Sequence, residues 1–311
     1  MIKRIKVFQV CCMLLAAVMS LSACGRDEHQ RGIDGCVYEA ELLTGTAHWG
    51  INIKNNADWL YYIDYGTLYR IPLEEGGMPG KTGRAGVPGT EGLLDYAVDA
   101  ESSVYCYRAA MNEQDSGTIE LEGGTLTRYG EDGSEEYSLS LEGRHAVYTR
   151  LSAVPGLLAA GGDRVFLLMG DEVLAVDGEG KIIGEADVSG IRPDDKDYSA
   201  ERLLEGEGGR VYYLTESPEQ NICRIYELVE EGSSFRPRIL SMKGLDGKDL
   251  ITGDFYGSGR GMLYSGRDGI LYCYSPAEDT WKELLRWGDS NLDKAAGEVA
   301  VRRQAVCGIP G

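Results

Sequence analysis

The sequence predicts an all-β protein that is built from repeated four-stranded units. Glycine accounts for 43 of the 311 residues, and tyrosine is far more frequent than phenylalanine, at 19 against 4. This composition is typical of half-buried strands, where a ring packs while its hydroxyl reaches water, joined by tight turns. No sustained helical period occurs beyond the first 23 residues, whereas a hairpin pattern recurs at a spacing of roughly fifty residues.

The first element along the chain is an export signal. A positively charged start, Met1 to Lys6, precedes an apolar run from Val7 to Ser20, which is too short to span a bilayer permanently. The run ends in Leu21-Ser22-Ala23-Cys24, which resembles the lipobox of bacterial lipoproteins. The resemblance implies that residues 1–23 form a signal-peptide helix that is removed, and that lipidation of Cys24 anchors the protein to a membrane. An ordinary secretory signal is the alternative, and it also predicts export.

The repeated unit is clearest where Leu60–Tyr69 aligns without gaps on Leu263–Tyr272, since Leu, Tyr, Gly, Leu and Tyr recur in register. A strand, a short turn containing Asp or Gly, and a second strand together predict a β-hairpin. Alternating stretches before and after each hairpin add two strands to each unit. Weaker copies lie at Val104–Tyr129, Val165–Val176 and Val211–Tyr226, and the predicted units span 47–92, 93–150, 151–197, 198–249 and 250–292.

The spacing of these units fits the four-stranded blades of a β-propeller. We therefore predict a propeller over residues 34–297, with about five blades, after a flexible tether over residues 24–33. A β-sandwich also uses alternating strands and glycine turns. It has no reason to repeat a hairpin at blade spacing, so the propeller is favoured.

The C-terminal residues 298–311 are expected to supply the first strand of a further, truncated blade. The segment Cys36–Leu42 is a candidate for the outer strand of that blade, because propellers often join their two termini. Two more strands would still be lacking, and a lone strand exposes an edge. We therefore expect the 311 residues to be the front portion of a longer gene product.

The hairpin Leu60–Ile71 resembles the Tyr-rich propellers that occur in many exported proteins of Gram-positive bacteria. The segment Leu284–Leu292 also looks like the end of a blade in lipoproteins that join such a propeller to a downstream solute-binding domain of an ABC transporter. This resemblance implies an accessory role in solute capture, with a transporter permease as one partner. The chain departs from the pattern at Gly311, where those proteins continue into the solute-binding domain.

Charge and cysteine content exclude several classes of partner. Without residues 1–23 the chain holds 28 basic and 50 acidic residues, a net charge of -22, which repels nucleic acid and anionic lipid headgroups. Three cysteines in strand-like runs, Cys106, Cys223 and Cys273, are predicted to be small buried hydrophobic residues. The three histidines are scattered and the exported part has no Cys-x-x-Cys spacing, so no metal site and no cofactor are predicted.

No catalytic residue is assigned from the sequence. Gly80-Lys81-Thr82 lacks the preceding glycine of a phosphate-binding loop, and Gly257-Ser258-Gly259 lacks the glycine spacing of a nucleophile elbow. The densest acidic groups, Asp194–Asp197 and Glu131–Glu136, lie beside turn residues and are interpreted as solvated turns.

Aromatic residues are the remaining candidates for a binding site. They recur in or beside the same strand of successive units, and those exposed at a loop-bearing end could stack on a sugar or a peptide. Packing between blades is the alternative role for the same rings. The candidates are Trp59, Tyr61, Tyr62, Tyr65, Tyr212, Tyr213 and Tyr264.

These observations favour a membrane-anchored, extracytoplasmic propeller that acts as a non-catalytic binding or scaffolding module. Its expected partners are the membrane, through the lipid anchor, and a glycan, a peptide or a permease. A second hypothesis is a glycan hydrolase or lyase whose carboxylates meet in the central funnel with perturbed pKa values. A third is an envelope assembly factor, which would present a large apolar patch.

Overall fold

The computed structural model describes most of the predicted repeat region and the paired strands near both ends. The described residues are 37–41, 53–55, 58–64, 66–74, 78–79, 85–113, 119–148, 156–192, 200–217, 222–240, 254–258, 261–265, 270–275, 278, 280–286 and 300–304. The predicted signal peptide, the tether, Cys24 and Tyr65 lie outside this set. Within it, no helix has the length and apolar character needed to cross a bilayer.

The described chain is all-β, and its strands form successive antiparallel sheets. The first sheet contains β2 (Ile53–Asn55), β3 (Trp59–Asp64) and β4 (Thr67–Glu74), with β5 (Met78–Pro79) and β6 (Ala85–Gly86) both paired to β4. The second sheet contains β7 (Asp95–Val98), β8 (Val104–Glu113), β9 (Ile119–Tyr129) and β10 (Glu135–Ser140), with β11 (His145–Tyr148) also paired to β9.

The remaining large sheets are regular four-stranded meanders. The third contains β12 (Leu158–Gly161), β13 (Arg164–Met169), β14 (Glu172–Val176) and β15 (Ile182–Asp187). The fourth contains β16 (Ala200–Glu205), β17 (Val211–Ser217), β18 (Ile222–Glu231) and β19 (Ser234–Ile239). The fifth contains β20 (Asp254–Ser258), β21 (Gly261–Ser265), β22 (Ile270–Ser275) and β23 (Thr280–Arg286). Each predicted unit holds one sheet, and the third, fourth and fifth sheets have the predicted four strands. The first and second sheets have five strands, because β6 and β11 each add a strand that pairs with β4 and β9, respectively.

The first strands of consecutive sheets lie side by side. In the described chain β2 contacts β7, β7 contacts β12, β12 contacts β16 and β16 contacts β20. Each sheet therefore begins at a shared centre and extends outwards, as the blades of a propeller do. We call β12 the inner strand of the third sheet and β15 its outer strand, and use the same terms for the other sheets.

The core lies between neighbouring sheets. The largest buried cluster joins the second, third and fourth sheets around Val165–Met169, and two smaller clusters join the first sheet to the second and the fourth to the fifth. Cys106 and Cys223 are buried, as predicted for small hydrophobic residues. Burial raises the pKa of the Cys106 thiol to about 12.

Two features differ from the sequence-based prediction. The polar insertion after Tyr107 extends the hairpin of β8 and β9, which stay paired as far as Glu113 and Ile119 across an irregularity at Arg108. The N-terminal strand β1 (Val37–Glu41) pairs directly and antiparallel with the C-terminal strand β24 (Ala300–Gln304). The two end segments are thus neighbours, whereas an outer strand and a first strand of one blade would be separated by the two strands between them.

Candidate functional site

Most of the aromatic residues that were candidates for ligand binding are buried. Tyr61, Tyr62, Tyr212 and Tyr213 have at most 7% of their surface exposed. Alternation along a strand sends neighbouring side chains to opposite faces. Sheets on either side cover both faces of β17, since Tyr212 packs in the cluster shared with the fifth sheet and Tyr213 in the cluster shared with the third. Tyr61 packs against the second sheet. Tyr61, Tyr212 and Tyr213 thus pack between blades, and none of the four buried rings presents a face to a ligand.

The other aromatic candidates are placed differently. Trp59 is half-buried at the start of β3, and the guanidinium of Arg70 lies 4.2 Å from the centre of its ring, a cation–π contact. Tyr62 stacks on Tyr69 with ring centres 5.7 Å apart. Tyr264 lies in β21. Among the candidates whose side chains the structure describes, Trp59 is the one whose ring reaches the surface, and the side chains of Tyr65 and Tyr264 lie outside that set.

The inner edge of the third sheet has backbone groups that need partners. The Leu168 N–H donates to the Leu157 carbonyl, so the hydrogen-bonded pairs between β12 and β13 fall at every second residue from Leu157 onwards. The N–H and C=O groups of Leu158 and Ala160 therefore point away from β13, towards β7 and β16. Buried backbone groups of this kind must be paired.

Side chains from three other inner strands supply these partners. The Leu158 N–H donates to Asp95 Oδ2 of β7 at 2.7 Å, and the Ala160 N–H donates to Glu205 Oε1 of β16 at 3.1 Å. Lys54 Nζ of β2 donates to the Leu158 carbonyl at 2.9 Å and to Glu205 Oε1 at 3.1 Å. We call Lys54, Asp95 and Glu205 the axial cluster, because its members lie on inner strands of the first, second and fourth sheets.

Further hydrogen bonds connect the axial cluster to the residues around it. Asp95 is fully buried, and its second oxygen, Oδ1, accepts the Tyr96 N–H at 2.8 Å. The Tyr96 hydroxyl donates to the Tyr61 carbonyl at 2.9 Å, and Lys54 Nζ lies 5.7 Å from the centre of the Tyr96 ring. Both oxygens of Asp95 thus serve the backbone, which fits a structural acceptor better than a catalytic acid.

A second group of charged residues surrounds Glu201, near the start of β16, whereas Glu205 ends that strand. Arg192 Nε donates to Glu201 Oε1 at 2.7 Å, and Arg192 Nη1 donates to Asp171 Oδ1 at 2.6 Å. The Glu201 side chain is only 5% exposed, and Oε2 of Glu201 has no hydrogen-bond partner in the described structure. The Tyr213 hydroxyl also has no geometrically formed hydrogen bond in the described structure, and the charge of Glu201 acts on it. We call Asp171, Arg192, Glu201 and Tyr213 the seam cluster.

Burial controls the proton affinities in the seam cluster. It raises the pKa of the Glu201 carboxyl above the ordinary value of 4.5, against the opposing effect of Arg192. Burial and the nearby Glu201 charge also raise the pKa of Tyr213. For Arg192, burial alone lowers the pKa, but the hydrogen bonds to Glu201 and Asp171 and the charge of Glu201 act against it, and the pKa is raised overall. The seam cluster therefore holds a carboxyl whose protonated form is favoured by folding.

Sequence reasoning missed the axial cluster. Its residues belong to no motif, and Asp95 and Leu158 are 63 positions apart in the chain. A signal does exist, because each of the three residues lies on the first strand of a predicted unit, where the blade model expects strands to meet. In the described residues no group of three His, Cys, Asp or Glu side chains is arranged to hold a metal ion.

No protein-family model matches the chain, and no curated protein matches its sequence. Solved structures match at low identity. PorZ, a surface component of the type IX secretion system of Porphyromonas gingivalis, is 14% identical with a TM-score of 0.41, over 81% of this chain and 29% of PorZ. The chain thus spans less than a third of the length of PorZ.

Two further structures match over more of their own length. A Thermus thermophilus protein assigned as an oxidoreductase of glucose dehydrogenase type is 12% identical with a TM-score of 0.42, over 81% of this chain and 86% of that one. Myxococcus xanthus glutaminyl cyclase is 11% identical with a TM-score of 0.36, over 87% and 98% of the two chains. These values are too low to transfer an activity to this chain.

Proposed function

We propose that the protein is a β-propeller on the outer face of a cell membrane that acts as a non-catalytic binding or scaffolding module. In a host with two membranes the anchor would lie in the outer one. The proposal includes the role that the family resemblance implies, in which the propeller forms the front part of a lipoprotein that captures solutes for an ABC transporter. Its partners would be the membrane and a glycan, a peptide or a permease.

The axial cluster is the observation that carries the non-catalytic part. A hydrolase or lyase in the central funnel needs carboxylates that can reach substrate and exchange protons. Asp95 is fully buried with both oxygens bound to backbone N–H groups. Glu205 accepts from a backbone N–H and from Lys54. The charged side chains of the axial cluster therefore join blades in the described structure.

Two observations support the propeller arrangement. The inner strands contact one another in chain order from β2 to β20. Strand β1 pairs with β24 and also contacts β23, the outer strand of the fifth sheet.

The anchor is tested by expressing the full chain in a Gram-positive host with a clickable palmitate analogue in the medium. We expect the protein in the membrane fraction with label attached, and a Cys24→Ala variant without label. Cys106→Ala is the matched control, since a buried thiol is not a substrate for acylation. Equal labelling of wild type and Cys24→Ala would contradict lipidation at Cys24.

The non-catalytic role is tested by incubating the full chain with a panel of cell-wall and plant polysaccharides and measuring new reducing ends or unsaturated products. We expect none above the level of a heat-denatured sample. Product formation that is lost in a folded Glu205→Gln variant would instead support the propeller enzyme. That variant keeps the shape of the side chain and removes its charge.

A further inference from the structure

The outer edge of the third sheet lies in an open groove. The groove has a volume of about 510 Å³ and follows β15 from Ile182 to Glu185 and on to Asp187, with Ser233 and Ser234 of the β18–β19 turn on its far side. Four consecutive residues of one strand line it, so the groove runs along the backbone edge of β15 as well as along one face.

The backbone on this edge is directed into solvent. The Val188 N–H donates to the Asp171 carbonyl, so hydrogen-bonded pairs with β14 fall at Val188, Ala186 and Gly184. The N–H and C=O groups of Glu185 and Asp187 therefore point away from β14. In the described part of the chain β15 is the last strand of its sheet, and β19 contacts it without pairing. An edge of this kind can pair with another extended chain.

The outer strand of the fourth sheet is built differently. The Leu240 N–H donates to the Ile225 carbonyl, which places Pro237 at an outward-facing position of β19. Proline has no N–H to offer, and the exposed Arg236 and Arg238 flank it. β19 thus carries the usual devices against strand pairing, whereas β15 presents Glu185 between Gly184 and Ala186.

The groove is negatively charged. Glu172, Glu185 and Asp187 line it, and Glu172 and Glu185 share one cation, Arg144, at 3.0 and 2.6 Å. Three carboxylates against one guanidinium leave a net negative surface, in a chain whose formal charge is -19. Such a surface attracts cationic partners and repels anionic ones.

The two sides of β15 offer different surroundings to an added strand. Glu185 and Asp187 lie on one face together with Glu172, because Glu172 is directly opposite Asp187 in the register. On the other face Gly184 is covered by Phe235, which lies close enough that a Cβ at Gly184 would come within 2.8 Å of it. Ser233 and Ser234 border that side. One face therefore suits basic side chains and the other suits small ones.

We propose that the outer edge of β15 binds an extended, cationic segment of a partner protein by strand addition, with Lys or Arg at alternate positions. The backbone of Glu185 and Asp187 pairs with the segment, the carboxylates receive its basic side chains, and its small side chains lie against Gly184 and the serine turn. This proposal rests on the proposed binding role and gives that role a site and a class of partner.

The experiment is a titration of a fluorescent peptide, Lys-Thr-Lys-Thr-Lys-Thr-Lys, into the full chain in non-ionic detergent at low salt. A peptide of equal composition with all lysines first is the control for charge alone. Two more peptides carry N-methyl groups on alternate residues, one peptide at the odd positions and the other at the even positions. Each pattern removes the N–H donors along one edge of the peptide strand. We expect the alternating peptide to bind about tenfold more tightly than the block peptide, and one methylated register to lose binding.

Protein variants locate the site. We expect Glu185→Lys to weaken peptide binding about tenfold and Glu185→Gln about threefold, while Glu91→Lys, an equal charge change in an exposed turn, has less than a twofold effect. Hydrogen exchange should slow at the Glu185 amide when peptide is added. Equal binding of the alternating and block peptides, equal weakening by Glu91→Lys, or an unchanged Glu185 amide would each overturn the proposal.

Failure of the peptide-binding proposal can be distinguished from failure of the proposed membrane anchor. Lipidation and membrane location are measured in cells and do not involve the groove. Loss of labelling with intact peptide binding would overturn the anchor alone, and labelling without peptide binding would overturn the groove alone.

Discussion

The inner and outer edges of the third sheet differ in how their unpaired backbone groups find hydrogen-bond partners. Both β12 and β15 have backbone N–H and C=O groups that point away from their own sheet. At the inner edge the groups of Leu158 and Ala160 are bound by Lys54, Asp95 and Glu205. At the outer edge the groups of Glu185 point into an open groove.

The difference follows from where water can reach. At the centre the backbone is buried between sheets, and a buried N–H without a partner costs on the order of 1–3 kcal/mol. At the rim, water satisfies the same groups without a side chain. The charged residues of the axial cluster are therefore a structural requirement, whereas the outer edge of β15 is open to binding.

The largest effect is expected from removal of the buried acceptor. Asp95→Ala leaves the Leu158 and Tyr96 N–H groups without their carboxylate, which should lower the free energy of unfolding by about 3 kcal/mol. Urea denaturation followed by tryptophan fluorescence measures this. Asp163→Ala, at an exposed turn, is the control and should change stability by less than about 0.5 kcal/mol. A loss for Asp95→Ala as small as for the control would contradict the structural role of the buried carboxylate.

A smaller effect is expected from the other two members of the axial cluster. Lys54→Met and Glu205→Gln should each cost about 1–2 kcal/mol, because both side chains are partly accessible to water. The double variant should cost less than the sum of the two, since each single change leaves the other residue without its partner. Strictly additive losses in urea denaturation would show that the two residues act independently.

The seam cluster predicts a dependence on pH. The pKa of Glu201 is raised in the folded state, so the folded protein binds more protons than the unfolded one above pH 4.5, and stability falls as pH rises through the raised pKa. In the Glu201→Gln variant this decrease in stability with rising pH should be absent. The difference in unfolding free energy between variant and wild type should therefore shift in favour of the variant as pH rises from about 4.5 through the raised pKa. Parallel pH profiles would contradict the burial argument.

The smallest effect is expected at the outer edge. Glu185→Ala removes an exposed side chain whose ion pair with Arg144 is open to water, and should cost at most about 0.5 kcal/mol. Thermal denaturation against wild type measures it. A cost comparable to that of Asp95→Ala would mean that the outer edge also depends on its side chains for stability.

Local patterns account for the parts of the fold that the sequence predicts. The hairpin from Leu60 pairs as expected, with Leu60 opposite Ile71 and Tyr62 opposite Tyr69. The hairpin from Val165 to Val176 does the same. Such pairs are set by alternation and by a short turn between the strands, and both features are visible in the sequence.

The roles of individual side chains depend on the arrangement of the sheets. Alternation along β17 does not show that sheets cover both of its faces and bury Tyr212 together with Tyr213. The bond between Asp95 and the Leu158 N–H joins a side chain to backbone, so it leaves no pairing pattern between residue types. Both features can be predicted only when the positions of the neighbouring blades are known.

Residue-level hydrogen exchange on the full chain tests the central claim most directly, since it compares the two edges of one sheet in one sample. The amides of Leu158 and Ala160 should exchange only with large-scale unfolding, and the Glu185 amide should exchange at close to the rate of an unstructured peptide, with protection factors that differ by at least about a hundredfold. Similar protection at both edges would contradict the account.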